Sequence, residues 1–133
     1  MGGKTLIFGA AAILIALIAS GLAPHGIADV TQPEVAQPKL SAKGIFGKLA
    51  YDKFCAECHG QNGTGTDKGP PFLHRYYLPG HHGDGAFHVA VMRGVRAHHW
   101  RFGDMKPVPG VTEMQVDMIV EYVRALQKAN GLH

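Results

Sequence analysis

Both cysteines of the chain fall in one heptapeptide, FCAECHG at residues 54–60, and His59 directly follows the second. Cys-x-x-Cys-His can be half of a zinc site, a redox dithiol, a small disulfide loop or an attachment site for haem. Structural zinc needs four ligands, and with no second cysteine pair scattered histidines would have to complete the set. A thioredoxin-like dithiol needs a strand–helix–strand setting, which the sequence does not supply. A disulfide across two intervening residues closes too small a loop to stabilise much. Haem attachment uses every residue. Cys55 and Cys58 form thioethers with the two vinyl groups, and His59 is held where it can ligate iron from one face.

The rest of the chain must position this segment with few residues. The sequence has 133 residues, 46% of them hydrophobic, and a formal charge of +3. No Lys/Arg block of the nucleic-acid-binding kind is present. Much of the apolar content sits in Leu6–Ala23, which follows Lys4 and is closed by Pro24. As a retained anchor this run, at about 1.5 Å per residue, just crosses a bilayer core of about 30 Å. As a cleaved signal peptide it would use Leu6–Ala19 and a small-residue site such as Gly26-Ile27-Ala28. Residues 1–25 are therefore read as a signal peptide or membrane anchor. Either reading puts the remainder outside the cytoplasm. Residues 26–43, with Pro33 and Pro38 among small polar residues, read as a Pro-rich linker. Residues 44–133 are left as a small domain with a marginal core, which gains from a covalent staple.

Three helical patterns and no convincing strand make that domain all-α. In GIFGKLAYDKFCAEC, Gly47, Tyr51 and Cys55 recur every fourth residue and share a face. A mid-helix glycine costs about 1 kcal/mol relative to alanine, so close approach of another helix at Gly47 is expected. A second, short helix runs through GAFHVAVMR, with Asp84 as the expected cap and Gly94 as its end. In the third, Thr112 and Gln115 form a capping box, and Val111 can staple onto Val116. Val116, Ile119, Val120, Val123 and Leu126 make its apolar stripe, Tyr122 lies on the edge, and Asn130-Gly131 is the stop.

With these residues in place, 44–130 resembles a class I c-type cytochrome. CAECHGQNGTGTDKGPP is similar to that family's run from attachment site through a glycine-rich loop to Gly-Pro. The resemblance implies that Pro70, with Pro71 one position away as a competitor, accepts the Nδ1–H of His59 on its carbonyl and turns Nε2 towards iron. Gly47 and Tyr51 match the family's first helix, and Tyr122 matches the aromatic of the last helix, which crosses it. FGDMKPVPG resembles the loop that gives the distal methionine, which implies Met105, with His98 or His99 as the competing ligands. Met92, Met114 and Met118 lie in helical patterns, where methionine is usually core filler. Lys106 stands where the family often has proline. The implied fold is three main helices around one covalent haem c, preceded by the N-terminal hydrophobic helix.

The implied function is one-electron transfer, with iron cycling between ferric and ferrous under His59/Met105 ligation. Donor and acceptor proteins of a respiratory chain are the expected partners. The expected location is the periplasmic side of the membrane, tethered there or released by cleavage; nucleic acid and small-molecule substrates are not expected. Two alternatives stay open: a haem subunit or enzyme of a periplasmic oxidoreductase system, and a copper-handling haem protein. The second arises from His74, His81, His82, His88, His98 and His99, which fall between the implied axial ligands. PGHHGDGAF and GVRAHHWRFGDM resemble a subset of bacterial monohaem cytochromes. These histidines, with Arg75, Arg96, Trp100 and Arg101, can bond haem propionates around the rim. Alternatively, the His81-His82 and His98-His99 pairs build a second metal site. Adjacent histidines of an extended chain point to opposite sides, which argues against simple chelation by a pair.

Overall fold

The computed structural model describes Met1, Gly2 and residues 34–133. The expected export or anchor helix, Leu6–Ala23, lies outside the described residues. Among the described residues there are four α-helices: α1 (Ala42–Phe54), α2 (Ala56–His59), α3 (Asp84–Arg93) and α4 (Glu113–Ala129). No helix among them is long and apolar enough to cross a membrane. An isolated antiparallel bridge between Val95 and Met105 is the nearest approach to a strand in this region.

Helix α1 starts where Ser41 accepts the Gly44 amide on its side chain, at 3.0 Å. Its buried face is Gly44, Gly47, Ala50 and Tyr51, and that face meets α4 in the principal helix–helix contact. The expected approach at Gly47 is extreme. A Cβ there would stand 1.9 Å from the Met118 carbonyl oxygen and 2.5 Å from its carbon. Helix α4 has the full capping box, with Thr112 and Gln115 each bonded to the other's backbone. Its stripe of Val116, Ile119, Val120, Val123 and Leu126 is buried. The helix ends at Asn130, and Gly131 follows with φ of 75°.

Several expectations need correction. The first helical pattern is not one helix. It breaks at Cys55 (φ −122°, ψ −34°) and resumes as the single turn α2. Asp84 does not cap α3; Gly83 holds the cap position without a side-chain bond, and the Asp84 carboxylate pairs with Arg124 instead. Tyr122 is not at the edge of the stripe but fully buried, its ring centroid 5.3 Å from that of Tyr51. The stretch read as a linker belongs, at its end, to the compact unit Pro33–His133. Val35 and Leu40 pack against the core, and Asn130 exchanges two bonds with the backbone of Ala36, at 2.9 and 3.0 Å.

Candidate haem site

One cavity of about 840 Å³ opens between α1, α3, α4 and the loop 94–108. That is at the upper end of the roughly 300–1,000 Å³ typical of ligand and cofactor sites. Phe54, Phe72, Phe87, Val91, Val116 and Ile119 form much of its wall. Cys55, Cys58, His59, Pro70 and Met105 all line it as well.

The α1–α2 break presents the attachment segment. Tyr51, buried at the end of α1, donates its hydroxyl to the carbonyls of Gly60 at 2.8 Å and His59 at 3.3 Å. Gly60 has φ of 75°, and a Cβ there would lie 2.4 Å from the Gly65 carbonyl oxygen. The chain therefore turns sharply after His59 and folds back beneath it. Thr66 secures the return by donating its hydroxyl to the Cys58 carbonyl at 2.6 Å. The loop then brings the Pro70 carbonyl oxygen to 2.8 Å from His59 Nδ1. A carbonyl can only accept, so Nδ1 carries the proton and Nε2 keeps a free lone pair for a metal. Burial holds the His59 imidazolium pKa below its ordinary value, more than the bond to Pro70 raises it, which favours the neutral ligand form. Phe72 stacks on the ring at 4.3 Å between centroids and fixes its plane.

Met105 comes from the opposite end of the sequence. Val95 and Met105 exchange backbone bonds of 3.0 and 2.9 Å, and Gly94, at φ of 77°, allows the close approach. A Cβ on Gly94 would meet the Met105 carbonyl oxygen at 2.5 Å. Among the described residues Met105 is the one methionine lining the cavity. Met92 and Met114 are exposed, and Met118 lines a separate surface cleft with Phe46 and Leu49. His82, His98 and His99 reach the cavity rim.

The thiols do not have the surroundings of a redox pair. Burial, and then the neighbouring Cys58, push the Cys55 thiol up to about 12, whereas reactive dithiols need a depressed value. Zinc fares no better. Among the described residues, the one cluster of three or more metal-donor side chains is His81, His82 and His99, without either cysteine.

The residues fit a haem on an independent ground. Trp100 lines the cavity, and its Nε1 is buried without a hydrogen-bond partner. It lies near enough to the Tyr77 hydroxyl to offset part of the upward shift that burial gives that phenol. A buried N–H without an acceptor is rare in a native protein. A carboxylate on the cavity's occupant, such as a haem propionate, would satisfy it, and the apolar walls suit a macrocycle.

Two residues that the sequence did not single out hold the site together. Gln127, 2% exposed, donates to the carbonyls of Phe72 at 3.0 Å and Tyr77 at 3.1 Å. Arg124 reaches Asp84 at 2.9 Å and the His82 carbonyl at 2.8 Å, and also bonds the Tyr77 carbonyl. Together they fasten α4 to α3 and to the segment behind His59. A glutamine one step beyond Leu126 on an apolar stripe was the available signal. The family model described as cytochrome c matches residues 46–127. No curated relative matches the chain.

Proposed function

We infer the function from one premise: the chain belongs to the cytochrome c family, and so binds a covalent haem c and carries electrons. The proposal is that thioethers from Cys55 and Cys58 hold the haem, with His59 and Met105 as axial ligands. The bond between His59 Nδ1 and the Pro70 carbonyl carries this reading, because it leaves Nε2 as the free donor of a residue that shares a cavity with Met105.

The haem supplies a ferric/ferrous couple that takes up and releases one electron. The chain's residues set its conditions. His59 is oriented by Pro70 and Phe72, and Met105, as a thioether ligand, favours the reduced state. The apolar walls exclude water, and Trp100 would donate to a carboxylate of the bound haem. With His59 and Met105 both holding the iron, no place would remain there for a substrate. Electrons would then pass during brief encounters with partner proteins, which typically bury small areas.

The respiratory donor and acceptor, and a periplasmic location, belong to the same proposal. The location is supported by the apolar run Leu6–Ala23, which reads as an export signal or anchor. Denaturing electrophoresis of the purified protein, followed by a haem stain, tests attachment. Haem colour should stay with the protein band, and its loss from the band ends the reading. A potentiometric titration should then fit a single one-electron step.

A further inference from the structure

The imidazoles between the axial positions do more than surround a rim. His81 and His82 do not point to opposite sides, because their segment is a tight turn: both amides donate to the Leu78 carbonyl at 2.9 Å. Their rings lie 4.8 Å apart between centroids, and those of His98 and His99 lie 4.3 Å apart. The loop that carries the second pair is closed by the Ala97 amide on the Asp104 carboxylate, at 2.8 Å. Tyr76 stacks on His99 at 4.3 Å and packs against His81 at 5.6 Å, which joins the two loops.

We propose that His81, His82 and His99 form a binding site for one late first-row divalent cation, Zn²⁺ or Cu²⁺, at the edge of the haem cavity. One donor atom from each of the three lies within 4.8 Å of the others, and the Nε2 atoms of His81 and His99 stand 2.9 Å apart. Around a tetrahedral ion with bonds of about 2.0–2.1 Å, neighbouring nitrogens are about 3.4 Å apart. The His81–His99 pair is closer than that and the outer limit of 4.8 Å is wider, so rotations of the rings are needed to complete the set. Three imidazoles leave a fourth position for water, and imidazole suits both metals.

The surrounding bonds prepare the site. His82 Nδ1 donates to the Tyr76 carbonyl, which leaves its Nε2 lone pair available. Only one of the facing His81 and His99 Nε2 atoms can carry a proton in their shared bond. For both to ligate, that ring gives up its Nε2 proton to solvent and takes one on Nδ1, and stays a neutral imidazole. A role confined to haem propionates does not account for His81. It is exposed, does not line the cavity, and spends its Nε2 on His99.

The test uses the haem-loaded protein. Zn²⁺, which is redox-inert, is titrated calorimetrically, and bound zinc is measured against iron. One zinc per haem is expected, with affinity at least about tenfold weaker in His81→Ala and in His99→Ala. His88→Ala is the control, since His88 bonds Asp117 at 2.9 Å outside the cluster. Cu²⁺ added to the oxidised protein should show nitrogen hyperfine coupling that loses one imidazole in His81→Ala. The haem spectrum reports folding separately, and if His99→Ala loses it, the exposed His81→Ala decides. No stoichiometric zinc, equal affinity in His81→Ala, or an equal loss in His88→Ala overturns the proposal while leaving the haem reading intact.

Discussion

A side chain of even one carbon at Gly47 would drive its Cβ to within 1.9 Å of the Met118 carbonyl oxygen. The backbones of α1 and α4 touch there, and the obstruction is another main chain, so no rotamer change relieves it. Gly47→Ala gains about 1 kcal/mol of helix propensity. It must also separate the helices, an overpacking cost of about 1–3 kcal/mol that falls at its upper end for a backbone clash. Net destabilisation by denaturant unfolding is the expected result. Tyr122→Ala removes buried aromatic surface at the same crossing, so the double variant should lose less than the sum of the singles. Strict additivity would mean that the crossing is not one coupled unit.

Gln127→Leu keeps the volume and removes the amide. The Phe72 carbonyl loses its bond from Nε2, and a buried acceptor left unpaired costs about 1–3 kcal/mol. Because Phe72 stacks on His59, the loss should also appear as a small change in the haem absorption spectrum. A variant as stable as the parent would show that this buried amide contributes nothing net.

Trp100→Phe retains most of the ring that packs against His74 and Phe102 but deletes the orphaned Nε1 donor. A propionate left without that donor keeps more uncompensated negative charge, which favours ferric iron. The midpoint potential should fall, as read by redox titration. An unchanged potential would place the propionates elsewhere on the rim.

How legible the molecule was depends on the range of the interaction. Capping of α4 by Thr112 and Gln115, its buried stripe and its stop at Gly131 are local patterns, and each could be read from a few neighbouring residues. The need for contact at Gly47 was also readable, because a glycine inside a helix asks for a reason. Asp84 misled because an acidic residue at a helix start usually caps, whereas here Arg124, far along the chain, takes its carboxylate. The break at Cys55 was hidden because both halves share one helical periodicity. The arrangement of His81 and His82 was hidden for a similar reason: extended geometry was assumed where both amides close a turn on the Leu78 carbonyl. Gln127 and the Val95–Met105 bridge depend on partners many residues away, which no local spacing reveals.

Axial ligation by His59 and Met105 is the central claim, and the far-red sulfur-to-iron charge-transfer band of the oxidised protein tests it most directly. The parent should show the band. Met105→Ala should lose it, turn high-spin or bind added ligands, and have a lower potential, since the thioether no longer favours ferrous iron. A band that survives in Met105→Ala, or that is missing from the parent, contradicts the assignment.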